Sequence, residues 1–345
     1  MKQEDRKRLP ASVIAAICIC CFAAAAVQHN IVLGMRRSNY AGEIRHHTEM
    51  PPMVAFSMVA LGGFRGLFAD MLWVRMVDLQ NTGRIFELVQ LSDWITKLEP
   101  RHAEIWWFHA WNLAYNVSAL MPREEDKWRW VQNGIQLLRD NGIPYNRHDP
   151  ELYLNLGWIF QHKIGGRSDP AHLFFKKAWA EKMSEFFGDG FPDYVDLARD
   201  ADKTKELKKR YKLLPGIMKE ADHLYGPLDW RTPQAHALYW AHLGKKEAAE
   251  SKDVFANNRM LLQVLKDMIL RGRLVYKPRE EIYRLEPEPA NFPKVRAFYR
   301  EMLDTYDTPY LQRVYSNFLS ETAEVFEKLG DTEKAAELRR EAEML

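Results

Sequence analysis

The chain has 345 residues, 47% hydrophobic and 28% charged, the composition of a folded protein and not of a disordered or wholly membrane-embedded one. Its 49 basic and 47 acidic side chains give a net charge of +2, and setting aside Lys2, Arg6, Lys7, Arg8, Glu4 and Asp5 leaves 45 of each sign. Such a neutral body lacks the basic field that nucleic-acid binding needs, and the three cysteines, Cys18, Cys20 and Cys21, all sit in one apolar run, so no disulfide framework is available to the rest.

That run, Ala11 to Val27, carries no charge and one hydroxyl, Ser12. It reaches the short end of a spanning helix, about 17 residues, and Ile31, Val32 and Leu33 extend it past Gln28, His29 and Asn30. It reads as an uncleaved single-pass transmembrane anchor; a cleaved secretion signal is the alternative, because Ala23 to Ala26 supplies small residues for a peptidase, and a buried soluble helix is the third. Basic residues before the run, against Arg36, Arg37 and Arg45 after it, favour a cytoplasmic tail and an extracytoplasmic body. Residues 1–33 are thus expected to be tail and anchor, and 34–52 a connector ended by Pro51-Pro52. Met53 to Phe64 is apolar almost throughout but too short to span, and Gly62-Gly63 interrupts it; it reads as a buried packing helix, or alternatively as a segment lying on the membrane surface.

Beyond it apolar residues recur at the spacing that places them on one helix face. Leu72, Met76, Leu79, Gly83, Leu88, Ile95 and Pro100 are followed about 34 residues on, in register, by Trp106, Ala110 and Leu113. A second helix around Trp128 to Arg139 comes after an insertion carrying Pro122, Glu124, Glu125 and Asp126. Tyr153, Leu156, Gly157 and Phe160, then Ala171, Phe175 and Ala178, make the clearest hairpin. Past Met183 the beat lapses at Gly188, Gly190 and Pro192, and Lys203 to Lys212 reads as a solvated basic face in preference to a lipid contact. The beat returns with Trp240, Gly244 and Ala249, and closes with Leu319, Ala323, Phe326, Gly330, Ala335 and Ala342. No stretch of strand-like alternation stands out. The body is therefore expected to be all-α, with repeats over 53–183, an irregular helical linker over 184–229 and further repeats over 230–345.

This order of large and small residues with a closing proline resembles the tetratricopeptide repeat (TPR), and Asp70-Met71-Leu72-Trp73 is similar to the membrane-anchored bacterial members of that class. The resemblance implies a right-handed superhelical array of helical hairpins, an α-solenoid, with the first helix of each hairpin turned toward a concave groove. On that register the groove receives Asp70, Trp73, Val77, Gln80 and Asn81; then Glu104, Trp107, Trp111, Ala114 and Tyr115; then Glu151, Leu154, Trp158, Gln161 and His162. Trp73, Trp107, Trp111, Tyr115, Trp158 and His162 are the expected partner-binding residues, since rigid aromatics give large contact area for little rotamer entropy. The opposing reading makes them core, covered by an apolar segment packed in the groove. The lysine–asparagine clamp that some cytoplasmic members use for a C-terminal carboxylate is not matched, because Trp73, Val77 and Phe108 stand there.

Signs of chemistry are sparse. Gly62-Gly63-Phe64-Arg65-Gly66 lacks the lysine and strand of a phosphate-cradling loop. The two imidazoles of His46-His47 diverge, no histidines stand one helical turn apart, and no cysteine ligand lies outside the apolar run. Asp70 and Arg75, set among Leu67, Phe68, Met71 and Leu72, read as a buried pair fixing helix register, with no nucleophile beside them. No catalytic residue, metal or cofactor is expected. The expected function is a non-catalytic scaffold or adaptor, anchored in the inner membrane, binding a protein or peptide segment in an export or envelope-assembly complex. A carbohydrate-binding accessory protein using the tryptophan face, and a helical enzyme assembled from residues distant in sequence, are the alternatives.

Overall fold

The computed structural model describes residues 65–247, 254–280, 282–306 and 308–345. The anchor, the connector, the apolar segment Met53 to Phe64, His46, His47, Ala249 and the three cysteines lie outside them. Among the described residues no helix is long and apolar enough to cross a membrane. The chain divides at residues 72 and 73 into two compact units; of the first, only 65–72 is described, the opening turns of helix α1 (Arg65–Asn81).

The second unit is helical nearly throughout, and its hairpins follow the apolar beat. In α1, Met76 and Leu79 are buried, and the Ser92 hydroxyl of α2 (Ile85–Leu98) donates to the Met76 sulfur at 3.1 Å. Gly83 makes the turn between them at φ +70°, a conformation open to glycine at no steric cost. Next come α3 (Ala103–Trp111), which runs on through a π-helical segment Asn112–Val117, and α4 (Glu124–Gln136), which runs on through Leu137–Gly142. Glu124, Glu125 and Asp126 fill the first turn of α4, where the helix dipole favours negative charge. α5 (Pro150–Trp158) is capped by Asp149, opens on a proline and continues as a third π segment, Ile159–Ile164, before α6 (His172–Phe187).

The segment expected to be a linker is part of the core. It folds as α7 (Tyr194–Arg199), α8 (Ala201–Glu206) with its π extension Leu207–Tyr211, and α9 (Pro215–Tyr225), burying Leu197, Leu207, Tyr211, Met218 and Ala221. The lysine run is amphipathic: Lys205, Lys208 and Lys209 face solvent while Leu207 and Tyr211 point inward.

At the centre lies α10 (Pro233–Glu247), buried at every position from Pro233 to Gly244 and packed mainly on α5 and on α11 (Val254–Arg271). Two glycines permit this approach: a Cβ on Gly157 of α5 would stand 3.1 Å from the Ala237 carbonyl, and one on Gly244 only 2.6 Å from the Tyr153 Cβ. A β-hairpin follows, β1 (Arg273–Lys277) antiparallel to β2 (Ile282–Glu286), then α12 (Phe292–Tyr306) and a closing hairpin of α13 (Pro309–Lys328) and α14 (Thr332–Glu343). Leu319, Ala323, Ala335 and Ala342 are buried there, and Gly330 turns the chain at φ +89°.

The sequence reading did not anticipate two features. The β-hairpin is held by a buried ion pair: Asp229 Oδ1 accepts from Arg231 Nε at 2.9 Å, Oδ2 accepts from Arg231 Nη2 at 2.7 Å and from the Leu274 amide at 3.2 Å, and Nη2 also donates to the Leu274 carbonyl at 3.0 Å. The Asp70–Arg75 reading is corrected: Arg75 is half exposed and pairs with Asp78 one turn on, while Asp70 itself faces solvent.

Candidate functional site

Trp111 is the last α-helical residue of α3 and Trp158 the last of α5, and a six-residue π segment follows each. The i to i+5 bonding of a π segment widens the turn, and side chains four apart stay on one face of the helix. Accordingly Tyr115 stacks on Trp111 with ring centroids 4.0 Å apart and planes 15° from parallel, and His162 stacks on Trp158 at 5.0 Å and 7°. The two stacks occupy equivalent positions 47 residues apart, and they meet where the Tyr115 hydroxyl lies 3.3 Å from His162 Nδ1. One aromatic ladder results, in the order Trp111, Tyr115, His162, Trp158.

All four rings are half-buried, so they are neither sealed core nor free surface. Burial pushes the Tyr115 hydroxyl up, and burial followed by the neighbouring Lys163 charge pushes His162 down, so both are neutral at neutral pH. The Lys163 ammonium lies 5.1 Å from the Tyr115 ring centre and 2.6 Å from the Asp169 carboxylate. Trp73 and Trp107, the other two expected residues, form a separate cluster about Phe108, with centroids 5.8 Å and 6.4 Å from it. Both are half-buried, and among the described residues Trp107 Nε1 has no acceptor.

The ladder opens on a groove of about 710 Å³. Trp111, Leu154, Asn155 and Trp158 form one wall. Arg259, Gln263, Lys266, Asp267 and Arg271 of α11 form the other, and Tyr310 and Asn317 of α13 line it too, as does Tyr299 of α12. At one end Asp267 accepts from Arg271 at 2.8 Å and from the buried Gln161 amide. Beyond that end, burial first and then the Arg271 and Arg167 charges bring the Lys176 ammonium down to about 8. The sequence reading missed the α11 wall. Its signal was a polar stripe at 259, 263, 266, 267 and 271 on a helix otherwise buried through Leu261, Val264, Leu265, Met268 and Ile269.

A second cavity of about 970 Å³ lies along α12, but its cations are committed: Arg300 pairs with Glu341 at 2.9 Å, Arg296 with Glu341 and Glu337, and Lys334 with Glu337 at 2.7 Å. Among the described residues no cluster of three or more histidine, cysteine, aspartate or glutamate side chains is placed to hold a metal ion. Comparison with protein-family models, with curated proteins and with solved structures returns no match.

Proposed function

We propose that the chain is a non-catalytic scaffold of the tetratricopeptide type, tethered to the membrane by its N-terminal apolar run, which receives a segment of a partner protein in the groove between α3–α5 and α11–α13. The observation that carries this reading is the aromatic ladder, built twice at equivalent positions and opening into the groove through Trp111 and Trp158. Half-buried rings already ordered by stacking lose little rotamer freedom when covered, so their remaining area is available to a ligand at low entropic cost. Attachment through the run Ala11 to Val27 would raise the local concentration of the groove at the bilayer. Large apolar side chains exposed on α1 and α2, Val74, Val77, Phe86 and Trp94, support a setting in which that end of the body is covered.

A carbohydrate partner is the second reading, favoured by the indole faces of Trp111 and Trp158 lining one wall. Photo-crosslinking in native membranes separates the two. A photoreactive phenylalanine analogue at Trp111 is expected to give a discrete protein adduct, lost when Gln263→Trp fills the groove, while the same group at the exposed Lys209 gives none. Internal crosslinks alone from position 111 would sink the scaffold reading; binding of isolated glycans without a protein adduct would replace it with the second.

A further inference from the structure

The two walls of the groove differ in chemistry, and the difference selects an occupant. The α3–α5 wall presents Trp111, Leu154 and Trp158, with Asn155 as its polar member. The α11 wall presents three cations, Arg259, Lys266 and Arg271, against one acid, Asp267. Each charged group on the α11 wall has a neighbour: Arg271 pairs with Asp267 at 2.8 Å, Lys266 with Glu321 of α13 at 3.0 Å, and Arg259 rests on the Tyr310 ring at 5.2 Å with its Nη2 3.4 Å from that hydroxyl. Three cations thus face two acids, and the Arg259 partner is a neutral phenol. The charges of Arg271 and Arg167, after burial, help bring the Lys176 ammonium down to about 8. In the cavity along α12, by contrast, Arg296, Arg300 and Lys334 are each paired with a carboxylate, and Glu301, Asp304 and Asp331 line the same cavity, so no excess of cations remains.

Along the α11 helix, at about 1.5 Å per residue, Arg259 and Arg271 lie about 18 Å apart with Lys266 between them. That length matches about twelve residues of helix or five to six of extended chain.

We infer that the groove is built for an acidic, amphipathic peptide segment, its carboxylates toward Arg259, Lys266 and Arg271 and its apolar side chains against Trp111, Leu154 and Trp158. The inference rests on the scaffold reading and narrows it to one class of partner. Carboxylates would complete the α11 wall as charge-assisted hydrogen bonds in a partly desolvated site, where such bonds discriminate strongly between signs of charge. A basic segment would meet like charge on one wall and is rejected.

The test is selection of random peptides about twelve residues long, displayed on phage, against the full-length protein in nanodiscs. Parallel selections use Gln263→Trp, which obstructs the groove from an exposed position without removing a packed atom, and the double variant Arg259→Gln, Lys266→Gln, which removes two wall cations, one exposed and one half-buried, while keeping most of each aliphatic stem. Circular dichroism checks that each variant keeps the helical content of the parent. The expected result is enrichment of peptides with an excess of Asp and Glu interleaved with aromatic or aliphatic residues. Their binding should be lost on Gln263→Trp and weakened about tenfold on the double variant. Peptides that depend on an open groove but carry no acidic excess, or bind the double variant equally well, overturn the acidic inference and leave the scaffold reading standing. Enrichment that Gln263→Trp does not abolish, or no enrichment, overturns both.

Discussion

Gly244→Ala tests the central packing directly. The added methyl would stand 2.6 Å from the Tyr153 Cβ and 2.9 Å from Asn257 Oδ1, both on elements packed against α10. Carbon atoms in contact sit about 3.5–4.0 Å apart, so α10 and α5 must separate by about 1 Å. Tyr153 cannot turn aside, because it is fully buried and its hydroxyl donates to the Arg147 carbonyl at 2.8 Å. Overpacking of this kind costs about 1–3 kcal/mol, while the helix propensity of alanine over glycine returns about 1 kcal/mol. The net loss is up to about 2 kcal/mol, which for a body of this size lowers Tm by up to about 8 °C. Gly157→Ala meets only the Ala237 carbonyl, at 3.1 Å, and should cost less. Gly216→Ala is the control, since it lies in α9 with nothing within 4 Å, and it should be neutral or slightly stabilising. Thermal and urea denaturation of the full chain, followed by circular dichroism, rank the three. A Gly244→Ala protein as stable as Gly216→Ala would refute the claim that glycine sets the spacing of α5 and α10.

Removing one partner of the Asp229–Arg231 pair by Asp229→Ala leaves a guanidinium buried and the β-hairpin untied, at a cost of about 3–5 kcal/mol; limited trypsin digestion with mass spectrometry should show faster cleavage after Arg279 and Arg284, and unchanged cleavage would count against the tie. Burial lowers both His109 and His236 to about 4, the first further modulated by Asp93 and the second by its bond to the Trp230 carbonyl. Because the unfolded chain takes up these protons first, stability is fully present above pH 6.5 and declines as pH falls from 6.5 toward 4, by as much as roughly 3 kcal/mol per histidine. Urea midpoints across that window should fall less steeply in His236→Asn, and an equal slope would argue that His236 does not titrate this way. Gly330→Ala places a side chain at φ +89° in open space, so about 1 kcal/mol of backbone strain is expected, with Gly330→Asn tolerated better, both read by Tm.

The hairpins were legible because their physics is local. Gly83 and Gly330 fall in turns that need positive φ, and Met76, Leu88, Ala110, Leu156, Ala323 and Ala335 fall on faces that pack. Four of the six expected aromatic residues come together because their spacing repeats between two helices of the same build. The α11 wall was not legible as a wall, since its residues stand about a hundred positions along the chain from the ladder they face and come to it only when α11 packs on α5. Nor was the hairpin of β1 and β2, whose five-residue strands are too short to declare a period and depend on an ion pair from a loop some forty residues away. In the 184–229 segment frequent glycine, proline and lysine concealed a sparse inward face of Leu197, Leu207, Tyr211 and Met218.

The matched π segments bear on how this body can be re-engineered. Each adds one residue to a helical turn, and both fall immediately after the tryptophan that begins a stack. A graft of about 34 residues, the period of the apolar beat in the sequence, would therefore shift every ring downstream of the splice out of phase. The exchangeable cassette is 47 residues, the separation of Tyr115 from His162, and it must carry its own π segment. Cut on that length, a further cassette would lengthen the row by one tryptophan and its stacked neighbour; cut on any other, it would add a helix and break the row.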